Sequence, residues 1–475
     1  MLLRCLFALT IVLATAGAAS AQDAKAVIDG TSKALGAGAL QTVQFSATGF
    51  DFVLGQNPNG KAPWPRFIEK SYTRAIDFEA AASRVDRVRI QGENPPRGGG
   101  QQPVIGEQTQ VNVVDRNSPW VQQLEILMMP HGFVRAAAGR GATVGRGGKT
   151  VSFIGENRAP VTATLDKRGL ITRIETRIDH PVMGDMEFDV VYNDYKDVGG
   201  GVQFPMHIVQ SQGGHPIFDL HLTDVKVNAT VNTAAPPPAG GAPAAVAANP
   251  PVQSEKLGDG VYLLTGGYSV IAIDFTDHIT LIESGQSEAR ALDVIAEAKR
   301  LIPNKPIRYV VNTHTHFDHA GGLRAFVAEG ATILTHDSNK AYLKTLLSRP
   351  HSLNPDKAQG LGKKPIVEGM GDRKTLTDGT HVVELYRLQD FLHHDGMLVA
   401  YLPKEKVLLE ADGYNPQAVN ATPPRPSSPY TLSLADNIQR LKLDVQRIIP
   451  VHYPADNRVV TMAELNRWLG RTGTN

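Results

Sequence analysis

His314-Thr315-His316-Phe317-Asp318-His319 places three imidazoles and one carboxylate within six residues, directly after an apolar run that ends at Val311. If the strand predicted for that run continues through His314 and His316, its two-residue period puts both rings on one side. Asp318 and His319 then begin the next turn and approach from another direction. A polar surface loop is the alternative, but this density of metal-binding side chains favours a metal site. Two metals could be served at once.

Further polar residues stand beside apolar runs later in the chain, where strands are predicted. Burying such a group at a strand end is costly unless it has a partner, and a bound cation would be one. The strand ends of α/β proteins commonly contribute together to one site. The candidates are His393 and His394 before the segment 396–403, Asp412 after the run 407–411, and His452 after the run 447–451.

The series His-x-His-x-Asp-His, followed by His, Asp and His beside later apolar runs, resembles the metallo-β-lactamase superfamily of metallohydrolases. The resemblance extends from about Val252 to the C-terminus. It implies an αββα sandwich for this part of the chain, in which two packed sheets have helices on their outer sides. It also implies that the protein is a metal-dependent hydrolase.

The resemblance assigns ligands to both metals. It implies that His314, His316 and His393 bind the first metal, that Asp318, His319 and His452 bind the second, and that Asp412 bridges the two. His393 is chosen over His394 because the family usually has its Leu/Ile-Val strand five residues after this ligand, and Leu398-Val399 fits. His394 is then either a neighbour in the pocket or a surface residue.

Two positions depart from the pattern of the superfamily. Typical members have an Asp in a short motif after an early strand, whereas this chain reads Ile282-Glu283-Ser284-Gly285 at that supporting position. Asp412 stands where one well-known subclass of β-lactamases has a Cys, which argues against membership of that subclass. A carboxylate there suits the wider hydrolase family, which includes glyoxalase II-like and lactonase-like enzymes.

Length and composition indicate a folded protein of more than one domain. A chain of 475 residues is too long for one ordinary domain, so two are expected. Its 42% apolar and 20% charged residues are typical of a folded soluble protein. The formal net charge of +1 gives no overall field that would draw the protein to nucleic acid, and no nucleic-acid partner is expected.

The first 21 residues have the features of a secretory signal peptide. Met1-Leu2-Leu3-Arg4 is a charged start, residues 5–17 are a short apolar core, and Ala19-Ser20-Ala21 is a small-residue exit. A membrane anchor would need a longer apolar run, so we expect cleavage after Ala21 and no stable membrane anchor. The expected location is the bacterial periplasm or beyond. Cys5, the single cysteine, would leave with the signal, so the metal ligands must be N and O.

An Ala/Pro/Gly tract over residues 233–251 is predicted to be an extended linker between two units. The first unit, residues 22–232, contains alternating segments such as 42–48 and 161–166, which predict an antiparallel sheet. It resembles periplasmic lipoprotein-carrier-like domains, which curve such a sheet around a hydrophobic ligand. Because a linker of this composition transmits little packing energy, the units are expected to be separable.

The second unit, residues 252–475, alternates strands with helices. Helical spacing predicts helices over 287–301, 432–443 and 462–469. The expected fold class is therefore α+β, with the αββα sandwich preceded by the antiparallel-β domain of residues 22–232.

The expected chemistry is hydrolysis. Two cations about 3.5–4 Å apart can lower the pKa of a water between them toward about 7 and so supply hydroxide at neutral pH. Asp318 is the residue expected to orient this nucleophile and to shuttle a proton. Two zinc ions are expected with His and Asp ligands, and iron or manganese would also suit the site. The expected partner is a small substrate, namely an ester, a lactone, an amide or a related molecule.

A different class of function stays open. The chain could be a periplasmic binding or carrier protein whose N-terminal sheet holds an apolar ligand and whose metal site is auxiliary. A full ligand set favours the hydrolase, because a binding module has no reason to keep both metals. The chain has no Gly-x-Ser-x-Gly or His-Glu-x-x-His motif that would indicate a competing chemistry, and no Gly-x-x-x-x-Gly-Lys loop completed by the Ser or Thr that phosphate binding needs.

Overall fold

The computed structural model describes residues 24–93, 95–99, 106–236 and 250–471. The predicted signal peptide over residues 1–21 lies outside the described residues, and so does most of the predicted linker, residues 237–249. Within the described ranges, every helix falls short of the length and hydrophobicity that crossing a bilayer would require.

The N-terminal unit is built on one antiparallel sheet of eleven strands. The strand order is β4-β3-β2-β1-β11-β10-β9-β8-β7-β6-β5, so that the first and last strands of the unit pair at the centre. The strands are β1 (Thr42–Phe52), β2 (Arg66–Asp77), β3 (Ala82–Gln91), β4 (Gln108–Val114), β5 (Thr143–Val144), β6 (Thr150–Ile154), β7 (Pro160–Leu165), β8 (Ile171–His180), β9 (Gly184–Asp197), β10 (Gln203–Gln212) and β11 (His215–Val227).

Three helices cover one face of this sheet and bury its apolar side chains. They are α1 (24–35), α2 (Trp120–Leu127) and α3 (Pro130–Gly139). The alternation predicted for β1 is present, because Val43, Phe45 and Ala47 are buried while the residues between them are partly exposed. On α3, the ring of Phe133 packs 5.3 Å from that of Phe153 on β6. The predicted antiparallel-β domain is therefore confirmed.

The C-terminal unit contains two further sheets. The seven-stranded sheet has the order β12-β13-β14-β15-β16-β17-β18, and the six-stranded sheet has the order β19-β20-β21-β22-β23-β24. Their strands are β12 (Gln253–Gly258), β13 (Val261–Thr265), β14 (Val270–Asp274), β15 (Ile279–Ile282), β16 (Ile307–Val311), β17 (Thr332–His336), β18 (Ile366–Met370), β19 (Arg373–Thr377), β20 (Val382–Arg387), β21 (Leu398–Leu402), β22 (Val407–Glu410), β23 (Arg447–Pro450) and β24 (Val460–Thr461).

Helices lie on the outer sides of these two sheets. They are α4 (Glu288–Leu301), α5 (Phe317–Ala320), α6 (Leu323–Glu329), α7 (Asp337–Leu347), α8 (Lys357–Gly360), α9 (Pro429–Leu441) and α10 (Met462–Leu469). Successive residues of β14 face opposite ways: Ile271 and Ile273 join the core between the two sheets, and Val270 and Ala272 join the core under the helices. This two-sided burial produces the αββα sandwich, and the predicted fold class is confirmed.

The two units share an interface. The start of β9 contacts the segment after α7. The Asp185 carboxylate accepts a hydrogen bond from the main-chain N–H of Leu353 (2.9 Å), and the main-chain N–H of Asp185 donates to the carbonyl of Pro350 (2.8 Å). The ring of Trp64, which is 4% exposed, lies edge-on to Phe317 at 6.4 Å. The buried apolar side chains of the N-terminal sheet and those beneath α4, α6 and α7 form one continuous cluster.

Candidate metal centre

The predicted ligands come together at one edge of the sandwich. His314 and His316 follow β16, and Asp318 and His319 lie in the single turn of α5. Because β21 runs antiparallel to β22 while β23 runs parallel to it, the start of β21 and the ends of β22 and β23 reach the same edge. His393 precedes β21, Asp412 follows β22 and His452 follows β23.

The expectation that the strand continues through His314 and His316 is wrong. β16 ends at Val311, and residues 312–316 form a buried loop. The reason lies in the hydrogen bonds of this loop: the N–H of Thr313 donates to the carboxylate of Glu283 (2.9 Å) and so does not pair with a neighbouring strand. The two rings nevertheless meet, with centroids 4.4 Å apart.

Four imidazoles converge on the carboxylate of Asp412, which is 2% exposed. The distances from Oδ2 are 3.4 Å to His314 Nε2, 2.8 Å to His319 Nε2 and 3.5 Å to His393 Nε2, and Oδ1 lies 2.9 Å from His452 Nε2. A single carboxylate among four rings is thus placed where it could bridge two cations.

The ligand atoms fall into two groups that match the two predicted metals. Within each group the ligand atoms lie within 4.8 Å of one another, and the groups are His314, His316 and His393, and Asp318, His319 and His452. Several of these atoms are buried without a hydrogen-bond partner, including His314 Nε2, His316 Nδ1 and His393 Nε2. Buried polar atoms need partners, and imidazole and carboxylate are ligands that zinc binds, so these residues fit a pair of divalent cations.

Hydrogen bonds on the far side of three rings orient them. His314 Nδ1 lies 3.1 Å from Thr313 Oγ1, His319 Nδ1 lies 3.3 Å from Glu283 Oε2, and His316 Nε2 lies 2.9 Å from the carbonyl oxygen of Asn57. Each contact leaves the other ring nitrogen directed into the centre, which is the arrangement that fixes the tautomer of a metal-binding histidine.

Asp318 is held by two residues that sequence reasoning missed. Gln56 Nε2 donates to its Oδ1 (2.8 Å), and the hydroxyl of Tyr268 donates to its Oδ2 (2.9 Å). The ring of Tyr268 also packs edge-on against His452, with centroids 4.4 Å apart. No motif marks either residue, because Gln56 belongs to the N-terminal unit and Tyr268 to the loop between β13 and β14.

His394 has a different environment from that of His393. Its Nε2 lies 3.0 Å from Thr315 Oγ1, and its Nδ1 accepts a hydrogen bond from the main-chain N–H of Gly396 (3.1 Å). Both nitrogens of His394 are therefore engaged. Both nitrogens of His393 are buried without a hydrogen bond.

The surroundings of the buried ligands set their protonation states. Burial raises the pKa of Asp412, but the imidazoles of His452, His319 and His393 outweigh it and hold this pKa well below its usual value. Burial also lowers the pKa of His316 to about 3 and the pKa of His314 well below its usual value. Asp412 is thus an anion and His314 and His316 are neutral, which are protonation states that bind metals. At His319, burial lowers the pKa, but the carboxylates of Asp318, Asp412 and Glu283 outweigh it and raise this pKa well above its usual value, so a cation must displace a proton there.

A second group of similar side chains lies on the N-terminal sheet. His207 on β10 and His221 on β11 stack with centroids 4.1 Å apart, and His207 Nε2 lies 2.8 Å from Asp219 Oδ1. The three side chains are partly exposed and could hold a cation from solution. Sequence reasoning did not find this group, because only strand pairing brings its members together.

Part of the C-terminal unit is similar to known proteins. Residues 264–452 match the family model of the metallo-beta-lactamase superfamily. A linear primary-alkylsulfatase of Pseudomonas sp. (strain ATCC 19151) is 37% identical over 57 residues, which are 12% of this chain and 11% of that relative. The chain thus spans about a tenth of the length of the curated relative that it matches.

Solved structures with similarity to the chain include metallo-beta-lactamases from Pontibacter korlensis and Hirschia baltica. Each is 18% identical and has a TM-score of 0.35, and in each case the match covers 46% of this chain and 97% of the other.

Proposed function

We propose that the protein is a metal-dependent hydrolase of the metallo-beta-lactamase superfamily, whose family model matches residues 264–452, and that it uses two zinc ions to hydrolyse a small ester, lactone, amide or related substrate. Iron or manganese would also suit the N and O ligands. The observation that carries the proposal is the convergence of four imidazoles on the buried carboxylate of Asp412.

Divalent cations in such a centre supply a Lewis acid for the substrate oxygen under attack and lower the pKa of water. The residues of the chain supply the group that accepts the proton and the hydrogen bond that orients this group. Asp318 is 30% exposed on its side chain, whereas Asp412 is buried, so Asp318 is the carboxylate that a substrate and an attacking water can reach. The imidazoles of His319, His316 and His452 overcome the effect of burial and lower the pKa of Asp318, which therefore accepts a proton only as the reaction generates one.

Tyr268 serves as a hydrogen-bond donor in this proposal. Burial, together with the neighbouring Asp318, raises the pKa of its phenol far above neutrality, so it stays protonated. Its hydroxyl holds Asp318 Oδ2 at 2.9 Å and so orients the carboxylate that receives the proton.

Two pockets of the N-terminal unit bear on the carrier hypothesis, and the larger is an open cleft of about 540 Å³ that Ile28 on α1 and Ala137 on α3 help to line. The cavity inside the N-terminal sheet, beneath α2, is lined by Phe45, Tyr72, Leu124 and Phe188 among others and has a volume of about 70 Å³. Pockets for small molecules usually enclose about 300–1,000 Å³. A ligand held there would need the sheet and α2 to move apart.

We also propose that the protein is exported, on the basis of its signal-like first residues. N-terminal sequencing of the protein from the periplasm of its host is expected to begin at Gln22. Intact protein that begins at Met1 in the cytoplasm would contradict export.

The proposed function is tested with a panel of lactone, carboxylic ester, thioester, β-lactam, phosphodiester and sulfate-ester substrates. The sulfate ester is included because of the short match to an alkylsulfatase. On the substrate that is turned over, Asp318→Asn is expected to lower kcat by about two to four orders of magnitude with metal in excess and with little change in thermal stability. Asp293→Asn, a change of an exposed carboxylate on α4, is the matched control.

Two results would contradict the proposal. Near wild-type turnover by metal-loaded Asp318→Asn would remove Asp318 from the mechanism. If wild-type protein hydrolyses none of the panel and instead binds an apolar probe tightly through its N-terminal unit, the carrier hypothesis replaces the hydrolase.

A further inference from the structure

A segment of the N-terminal unit reaches into the metal centre. We name residues 54–59, from the loop between β1 and β2, the strap. Its Gln56 side chain donates to Asp318, 262 positions later in the chain, and its Asn57 carbonyl contacts His316 Nε2 at 2.9 Å. One strap thus touches a ligand from each of the two groups.

The strap is fastened to the C-terminal unit on both sides of these contacts. Before them, the carbonyl of Gly55 accepts a hydrogen bond from the N–H of Phe317 (3.2 Å). After them, the carbonyl of Pro58 accepts from the N–H of Asp395 (2.8 Å), and Asn59 Nδ2 donates to the Asp395 carboxylate (2.8 Å). Five consecutive positions, 55–59, therefore follow the surface of the centre closely.

A second loop of the N-terminal unit supports the strap from behind. The N–H of Gly99 donates to the carbonyl of Gln56 (2.8 Å), and the N–H of Gly98 donates to the carbonyl of Leu392, just before His393 (3.0 Å). The hydroxyl of the buried Tyr430 donates to the carbonyl of Gly98 (2.8 Å). The strap therefore has hydrogen bonds to neighbours on two sides.

Gly55 allows the strap to approach this closely. Its φ of 72° lies in the left-handed region, and a Cβ there would stand 2.2 Å from the ring of Phe317, which is next to His316 in the chain. A side chain at this position would push the strap away from both ligands.

The contact with Asn57 has a specific chemical consequence. A carbonyl oxygen can only accept, so His316 must carry its proton on Nε2 and present the lone pair of Nδ1 to the centre. The buried Nδ1 has no hydrogen bond within the described structure, so it is the nitrogen of His316 that is free to share a cation with His314 and His393. The neutral amide of Gln56 likewise fixes one oxygen of Asp318 without adding a charge.

We propose that the strap is a working part of the metal centre: the N-terminal unit positions His316 through Asn57 and Asp318 through Gln56, and thereby raises the affinity for both cations. Gln56 and Asn57 are positioning residues, because they act through the two ligands. The inference rests on the proposed function only to the extent that the centre binds metal.

The test compares metal binding by full-length variants. Gln56→Leu removes the donor to Asp318, Gly55→Ala displaces the whole strap, and Lys61→Ala changes an exposed side chain just beyond it as the control. Dissociation constants for two zinc ions come from competition with a chelator, and the absorption spectrum of the cobalt-loaded protein reports the geometry at each site. Thermal stability is measured alongside.

We expect Gln56→Leu to lower the affinity for one of the two ions by about 10–100-fold and to alter one component of the cobalt spectrum. Gly55→Ala should lower the affinity for both ions, since it moves Gln56 and Asn57 together. Lys61→Ala should bind both ions as the wild type does. Unchanged affinities and spectra in the first two variants would overturn the inference. So would losses that Lys61→Ala shares, because the strap would then act only on general stability.

These outcomes are separable from those of the proposed function. Wild-type protein that binds two cations with the expected dependence on Gln56 but hydrolyses no substrate supports the strap and contradicts the hydrolase. Wild-type protein that binds no cation overturns both.

Discussion

The carboxylate of Glu283 joins two ligand-bearing segments: its Oε2 lies 3.3 Å from His319 Nδ1, and its Oε1 accepts the N–H of Thr313, next to His314, at 2.9 Å. Glu283 itself is fully buried and has a φ of 73°, a strained backbone for a residue with a side chain. Strain of this kind tends to collect at functional sites.

Glu283→Gln is therefore expected to weaken the binding of the ion held by His319 by about 10–100-fold, because an amide holds the imidazole N–H less strongly than a carboxylate does. Zinc affinity measured by chelator competition checks this. Glu187→Gln, a change of an exposed residue on β9, is the control. Identical affinities for Glu283→Gln and wild type would show that Glu283 only shapes the loop.

His393 and His394 are expected to differ in what they contribute. His393→Ala should lose one ion, because its buried nitrogens face His314 and Asp412, whereas His394→Ala should keep both ions and lose stability through its broken contacts with Thr315 and Gly396. Metal content and thermal melting of both variants make the comparison. Equal metal loss from the two would leave the choice of His393 unsupported, and loss only from His394→Ala would reverse it.

The isolated C-terminal unit, Val252–Asn475, is expected to be less stable than the same residues in the full chain. Removing the N-terminal unit exposes Phe317 and leaves the Asn57 and Gln56 contacts of the centre unmade. Soluble yield, melting temperature and zinc affinity of the fragment are the measurements. A fragment that melts and binds zinc like the full chain would contradict this expectation and support the separable units that the linker composition predicts.

His131 on α3 should make stability depend on pH. Burial lowers its pKa from 6.5 to about 4, and its Nε2 lies 3.2 Å from the carbonyl of Leu35. Between these values the unfolded chain takes up a proton that the folded chain does not, so the contribution of His131 is present above pH 6.5 and is lost as the pH falls through about 4. Two and a half pKa units correspond to about 3 kcal/mol.

Urea unfolding of metal-free wild type and His131→Gln between pH 7.5 and 4.5 tests this. The wild type should lose up to about 3 kcal/mol more stability than the variant on acidification. Parallel loss in both proteins would show that His131 does not contribute to the acid sensitivity.

The sequence predicts the C-terminal fold and its elements well, because the signals are local. The helix predicted over 287–301 is α4, which begins where the side chain of Ser287 accepts the N–H of Arg290, and the helix predicted over 462–469 has the observed bounds. The αββα sandwich was expected because the ligand motif resembles that of the metallo-β-lactamase superfamily, and the alternation of strands and helices is compatible with it.

The contacts between the units could not be predicted from the sequence. Nothing in the composition of residues 54–59 shows that a carbonyl at Asn57 would meet His316, because that contact depends on how two separately patterned units pack. The course of the chain at His314 was also mispredicted, since a single hydrogen bond from Thr313 to Glu283 replaces the strand pairing that periodicity suggests.

The most direct test of the two-metal centre is anomalous X-ray scattering at the absorption edge of the metal found in the purified protein. We predict two peaks about 3.5–4 Å apart, one among His314, His316 and His393 and the other among Asp318, His319 and His452, with Asp412 between them. The crystals are grown from a double variant, His207→Ala and His221→Ala, so that metal bound by the exposed group on the N-terminal sheet does not add a peak. One peak, or none after supplementation with metal, would contradict the binuclear centre.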